Sequence, residues 1–421
     1  MDLKNKILEN ITEFYFDSRD FNGYPIRYFS TNLKISESEF KTGLISLIQD
    51  KMISLNFGDI HPNPHVKAFL EENEETQIEK LQKSNLEHVC AYPTSFYLEQ
   101  VVDTAKYYDK PFTMRIALGE PTLSYLSFDL SILEFYRNDP RYLYYNNDIS
   151  GRISVSDEYY ESEKMAMSDQ IILQTFGFSY DSDFNRAVAV FLKYLSKLSP
   201  SHQQIWNSKL LKGDYKLHPD YYRMSMGNFP EGGSIFDAFS EELHHINEMC
   251  KLMKRPNLFK TELSPKPRDF SFLIRPTLKE YNNFIHLLDK TISENINRKF
   301  FLNDIPFQYE DVLKDGKIVI RQKGTISILH EWLKKKFIPE DEKPMEEMIS
   351  TFKEIRKLRQ RPGHAIDNDV FDQKYFKMQR ELIIRAYSGI RLIRLIFTND
   401  QNVRDYKIPD WLMSDDKIRT F

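Results

Sequence analysis

The chain has 421 residues and a mass of 50.2 kDa, more than one ordinary domain holds, so two or three are expected. Its 41% hydrophobic residues can build a substantial core and argue against a disordered chain. A net charge of −4 excludes a protein that coats nucleic acid along its whole length, so any such contact must be a local patch.

The opening segment MDLKNKILENITEF has no continuous apolar run, so no signal peptide is expected. Leu3, Ile7, Ile11 and Phe14 recur instead at helical spacing. Ser36-Glu37-Ser38-Glu39 is a capping-box pattern, and it opens a helix with Phe40, Leu44, Leu47 and Ile48 on one side. Met52–Phe57 reads as a strand and Gly58–His65 as the turn of a wing. This order, over residues 1–75, resembles a winged helix-turn-helix. The resemblance implies a DNA or protein partner for this module. The exposed side of the capped helix carries Glu37, Glu39, Lys41, Gln49 and Asp50, a mixed set where a phosphate-facing helix should be basic. Residues 66–86 read as an acidic connecting helix.

Residues 87–262 form a central α+β block without a derivable role. Ser127–Tyr136, Tyr142–Tyr145 and Arg152–Ser156 read as strands, with turn signals at Asn138-Asp139-Pro140 and Ser150-Gly151. Ala187–Leu198 and Ile235–Met253 read as helices. On the second of these, Glu242 and His245 stand i,i+3, and His244 and Glu248 stand i,i+4. One helix face therefore offers a carboxylate and an imidazole to a metal. Glu242 and His245 are the metal alternative, against a surface helix with polar pairs. Cys90 and Cys250 have no metal-type spacing, and they suggest a reducing, cytoplasmic setting. No GxxxxGK[ST], GxGxxG, GxSxG or HExxH pattern occurs. No apolar run reaches the ~18 residues that a membrane span needs.

Residues 263–421 follow a proline-bearing segment, Thr261–Phe270, that reads as a linker. Leu278, Tyr281, Ile285, Leu288 and Ile292 mark one helix. Asp315-Gly316 marks a hairpin. Ile328, Leu329, Trp332 and Leu333 mark a second helix, and Met345, Met348, Phe352 and Ile355 a third. A long last helix runs from Tyr375 to Phe397. Four helices with short connections suggest a bundle. The expected fold class is thus a mostly helical α+β multidomain chain ending in a four-helix bundle.

At about 100° per residue, Arg359 falls inside the apolar arc of the third helix while Arg361 points away. Pro362-Gly363 then ends the helix and His364 follows. His364 is the only histidine in the chain with an arginine four to six positions before it. From Thr351 to Arg404 there are 12 Lys+Arg against 6 Asp+Glu. This Arg-x4-His arrangement at the end of a bundle helix resembles the HEPN superfamily over roughly residues 270–400. Its nucleases usually carry Asn, Asp or His after the arginine, where this chain has Gln360. The resemblance implies metal-independent endoribonuclease activity, without a cofactor, in which the ribose 2′-OH attacks the adjacent phosphate. It implies Arg359 and His364 as the catalytic pair, with Gln360, Arg356 and Arg361 on the phosphate. His supplies a proton-transfer group near neutrality and Arg a fixed cation against developing charge. It also implies RNA as partner, a homodimer through the C-terminal bundle, and a toxin or anti-phage setting. Two alternatives stand beside it. One is a bundle whose Arg–His pair is structural. The other is a non-enzymatic DNA-binding regulator that uses the bundle only to dimerise.

Overall fold

The computed structural model describes residues 2–58, 65, 67, 72–83, 86–162, 165–229, 231–313, 316–360 and 369–421, with Ser30 and Thr31 as backbone only. Where the sequence suggests blocks at 1–75, 87–262 and 263–421, these residues pack as two compact units, Met1–Phe229 and Pro230–Phe421.

The first unit opens with α1 (Leu3–Asp17), β1 (Tyr24–Pro25), α2 (Phe29–Leu33) and α3 (Glu37–Gln49). The Ser36 hydroxyl accepts the Glu39 N–H, and the Glu39 carboxylate accepts the Ser36 N–H. Two of the four orphan donors at the helix start are satisfied this way. α3 buries Phe40, Leu44, Leu47 and Ile48 against Ile7 and Ile11 of α1. β2 (Ile53–Phe57) follows, then α4 (Glu74–Lys83) and β3 (Val89–Pro93). The three strands form an antiparallel sheet in the order β1-β3-β2. The module's sheet is therefore completed by a strand beyond residue 75. Most of the expected wing, residues 59–64, lies outside the described residues.

The rest of this unit carries α5 (Ser95–Val101), α6 (Pro111–Ala117), β4 (Tyr125–Phe128), α7 (Glu134–Arg137), β5 (Tyr142–Asn146), β6 (Ser150–Val155) and α8 (Asp157–Glu161). After these come β7 (Ile172–Tyr180), β8 (Arg186–Phe191), α9 (Leu192–Leu195), α10 (Pro200–Asn207), β9 (Lys216–Leu217) and α11 (Pro219–Ser225). An antiparallel sheet runs β4-β8-β7-β6-β5, with β9 beside β7. Arg186–Phe191 is a strand buried at every position, because a short Val/Ala run between two sheet neighbours suits a central strand as well as a helix. The strand expected over Ser127–Tyr136 stops at Phe128, where Asp129 caps a 3₁₀ turn through the Ser131 N–H.

The second unit contains β10 (Gly233–Ser234), α12 (Ile235–Leu252), α13 (Leu278–Thr291), the hairpin β11 (Gln308–Val312) and β12 (Ile318–Gln322), and α14 (Thr325–Lys336). It ends with α15 (Lys343–Arg359), α16 (Lys374–Phe397), α17 (Asp410–Met413) and β13 (Ile418–Arg419). The expected four-helix bundle is not what these elements form. Helix α12, assigned from sequence to the central block, packs along α16 beside α13 and α15. A parallel β10–β13 pair and the antiparallel hairpin complete a mixed α+β unit. Half of the residues are helical and 16% lie in strands, so the coarser α+β description holds and the mostly helical one gives way.

The reason lies in Thr261–Phe270, which is no free linker. Phe270 is buried, with its ring 5.1 Å from Phe236 and 5.3 Å from Phe239 of α12. The Asn247 amide brackets the Phe259 backbone from both sides, at 2.9 and 3.0 Å. The buried Arg394 of α16 pairs with the buried Glu242 of α12. No described helix is long and apolar enough to cross a membrane.

Candidate functional site

Helix α15 buries Met345, Met348, Ile349, Phe352 and Ile355, and its last residues carry the candidate cations. Arg359 is the final helical residue. Its guanidinium donates to Asp289 Oδ2 at 2.6 Å and also pairs with Glu294. Arg356, one turn earlier, donates to the same Asp289 oxygen at 2.8 Å and stands 3.6 Å from Glu294. Asp289, on α13, has a fully buried side chain. Its other oxygen accepts the Ser293 hydroxyl. One buried carboxylate thus fixes two guanidiniums, and hydrogen bonds from both sides satisfy it. The hydrogen bonds that Arg359 donates to Asp289 and Glu294 raise its pKa still further. The Arg359 hydrogen bond holds Glu294 below the usual carboxylate range.

Beside this cluster lies a cleft of ≈ 670 Å³. Lys260, Arg298, Lys353, Arg356 and Lys357 line it, with Glu294 as the only acidic residue among the described ones. Lys353 and Lys357 stand i,i+4 on the exposed face of α15, and among the described residues no carboxylate pairs with either. Gln360, the helix C-cap, is exposed at the cleft edge. Arg298 is partly committed, donating to the Lys323 carbonyl at 2.8 Å. The first turn of α14, Gly324–Ser327, also lines the cleft. Its cap position is a glycine with no side-chain hydrogen bond. Anions are favoured at such a helix start. Arg361 and His364 lie outside the described residues.

The metal alternative is arranged differently from its sequence reading. Glu242 is taken up by Arg394. Burial drives its pKa up, and the hydrogen bond and charge of Arg394 oppose that rise. His245 sits 2.8 Å from the Tyr406 hydroxyl. The side chains brought together are His244, Glu248 and Glu262, with ligand atoms within 4.8 Å of one another. Spacing along α12 pairs His244 with Glu248, but Glu262 comes from the following segment and has no local signal. Hydrogen bonds satisfy all three groups without a metal. His244 meets Glu262 at 2.9 Å, the Asn247 amide donates to Glu262 at 3.0 Å, and Lys251 pairs with Glu248.

On α3 of the first unit, Glu39 is occupied by the cap, Glu37 pairs with Lys41 at 2.9 Å, and Asp50 pairs with Lys4. The cleft beside this module is lined by Glu72, Glu74 and Glu75 with Lys51. Neither surface suits phosphate. Comparison with family models, curated proteins and solved structures gave no match.

Proposed function

We propose that the chain is a metal-independent endoribonuclease that grips the RNA backbone in the cationic cleft at the end of α15. The observation that carries this reading is the cleft's charge, five cations against Glu294 alone among the described residues, in a chain whose net charge is −4. Such local concentration of positive charge in an acidic protein is what a phosphate chain requires. The cleft also adjoins the helix end that leads directly into Arg361 and His364.

In this reading His364 takes the proton of a ribose 2′-OH. The 2′-oxygen bonds to the adjacent phosphorus while the bond from phosphorus to the 5′-oxygen breaks, and that oxygen leaves with a proton. Lys353, Lys357 and Arg356 stabilise the charge building on the phosphoryl oxygens. The products are a 2′,3′-cyclic phosphate and a 5′-hydroxyl, with no metal in any step. In this reading the activity is cytoplasmic.

The test is RNA cleavage in EDTA by wild type, His364→Ala and the double variant Lys353→Ala/Lys357→Ala. Loss of the proton-transfer group is expected to slow cleavage ~10²–10⁴-fold. The double lysine variant is expected to bind RNA more weakly, with a log K against log salt slope shallower by about 1.4. Equal cleavage by wild type and His364→Ala in EDTA overturns the reading.

A further inference from the structure

The two carboxylates at the Arg356–Arg359 cluster have unequal standing. Asp289 is fully buried, and its Oδ2 lies 2.8 Å from Arg356 and 2.6 Å from Arg359. It holds both guanidiniums whether or not anything else is present. Glu294 is 42% exposed and reaches the same two guanidiniums from the cleft side. Among the described residues it is also the only carboxylate lining that cleft. Its oxygen therefore occupies the place a phosphate oxygen would take, bridging two guanidiniums already fixed from behind. Carboxylate and phosphate both offer guanidinium anionic oxygens that accept charge-assisted hydrogen bonds.

We propose that Glu294 is an internal stand-in for RNA phosphate, one that the backbone of incoming RNA displaces to gain Arg356 and Arg359. This rests on the reading of the cleft as an RNA site. An exposed ion pair holds weakly and is screened by salt, so a phosphate can replace it, whereas the buried Asp289 pair stays in place. RNA therefore gains both guanidiniums only where it supplies an anion at the Glu294 position. The free cleft is held closer to neutrality and discriminates against weakly charged ligands. Arg359 accordingly becomes a phosphate contact after displacement, and in the free chain it belongs to the α13–α15 ion-pair cluster.

The experiment is fluorescence anisotropy of a labelled 2′-O-methyl RNA oligonucleotide with the full chain, at graded salt. The probe lacks a free 2′-OH, so binding is read independently of cleavage. Glu294→Gln and Glu294→Ala are expected to bind about three- to fivefold tighter, with a salt slope steeper by about 0.7. Glu347→Gln, which makes the same charge change at an exposed site on α15, is expected to leave both quantities unchanged. Melting curves establish that each variant is folded. Wild type and both Glu294 variants binding with one affinity and one slope overturns the displacement while leaving the RNA site standing. No binding by any of them removes the RNA site and the displacement with it.

Discussion

Asp289 shows what a single residue does for this site. Two arginines at the end of a helix would repel each other and fray into solvent, and one buried carboxylate sets them both. Removing it leaves two cations against a pocket that no longer solvates them. Asp289→Ala is expected to cost about 1–3 kcal/mol, read as a shift in the urea midpoint at pH 7, and to loosen RNA binding. His245 gives a second residue-scale expectation. Burial, reinforced by His244 and Arg394, pushes its pKa down to about 4 from 6.5. The fold thus prefers the neutral ring, and Glu241 at 3.7 Å and Glu248 do not reverse this. A histidine whose value is depressed by folding contributes stability that is complete above pH 6.5 and is lost as the pH falls toward 4. The loss is about 3 kcal/mol. His245→Gln is expected to flatten that arm of the stability–pH curve, and an unchanged arm would assign it to other groups.

Among the elements, the packing of α15 on α16 decides where the cations sit. Gly389 of α16 permits the close approach, since a Cβ there would stand 3.0 Å from both Met348 and Phe352 of α15. Gly389→Val is expected to cost about 1–3 kcal/mol and to weaken RNA binding, because the helix that carries Lys353, Arg356 and Lys357 must shift. Thermal melting and anisotropy check the two effects together. The elements most legible in the sequence were those with local chemistry. The Ser36–Glu39 capping box, the apolar stripe of α15 and the Asp315-Gly316 hairpin each announce themselves within a few residues. The run around Val188 and Val190 did not, because a short apolar stretch is compatible with helix and strand until its neighbours are known. The site was legible by half. The helical phase of Arg359 follows from its distance to Ile355, whereas Asp289 and Glu294 come from around the end of α13, far back in the chain. Only folding brings them to Arg359.

At the scale of the molecule, composition pointed to more than one unit, and the described chain packs as two. Their boundary was hidden because the proline-bearing Thr261–Phe270 has the composition of a linker, while Phe270 and the Asn247 hydrogen bond to Glu262 bind it to α12. The division yields its own expectation. The second unit contains every described residue of the cationic cleft. Residues 230–421 produced alone are therefore expected to retain the RNA affinity and salt slope of the full chain, and residues 1–229 to show neither. Salt-dependent RNA binding by the first unit would place the interface elsewhere.

The central claim is that RNA is cut at this cleft by its own 2′-hydroxyl. The most direct measurement is the chemistry of the ends left on RNA incubated with the full chain in EDTA. Wild type is expected to leave 2′,3′-cyclic phosphate and 5′-hydroxyl ends, and His364→Ala none. Intact RNA with wild type, or the same ends at the same rate from both proteins, would contradict it.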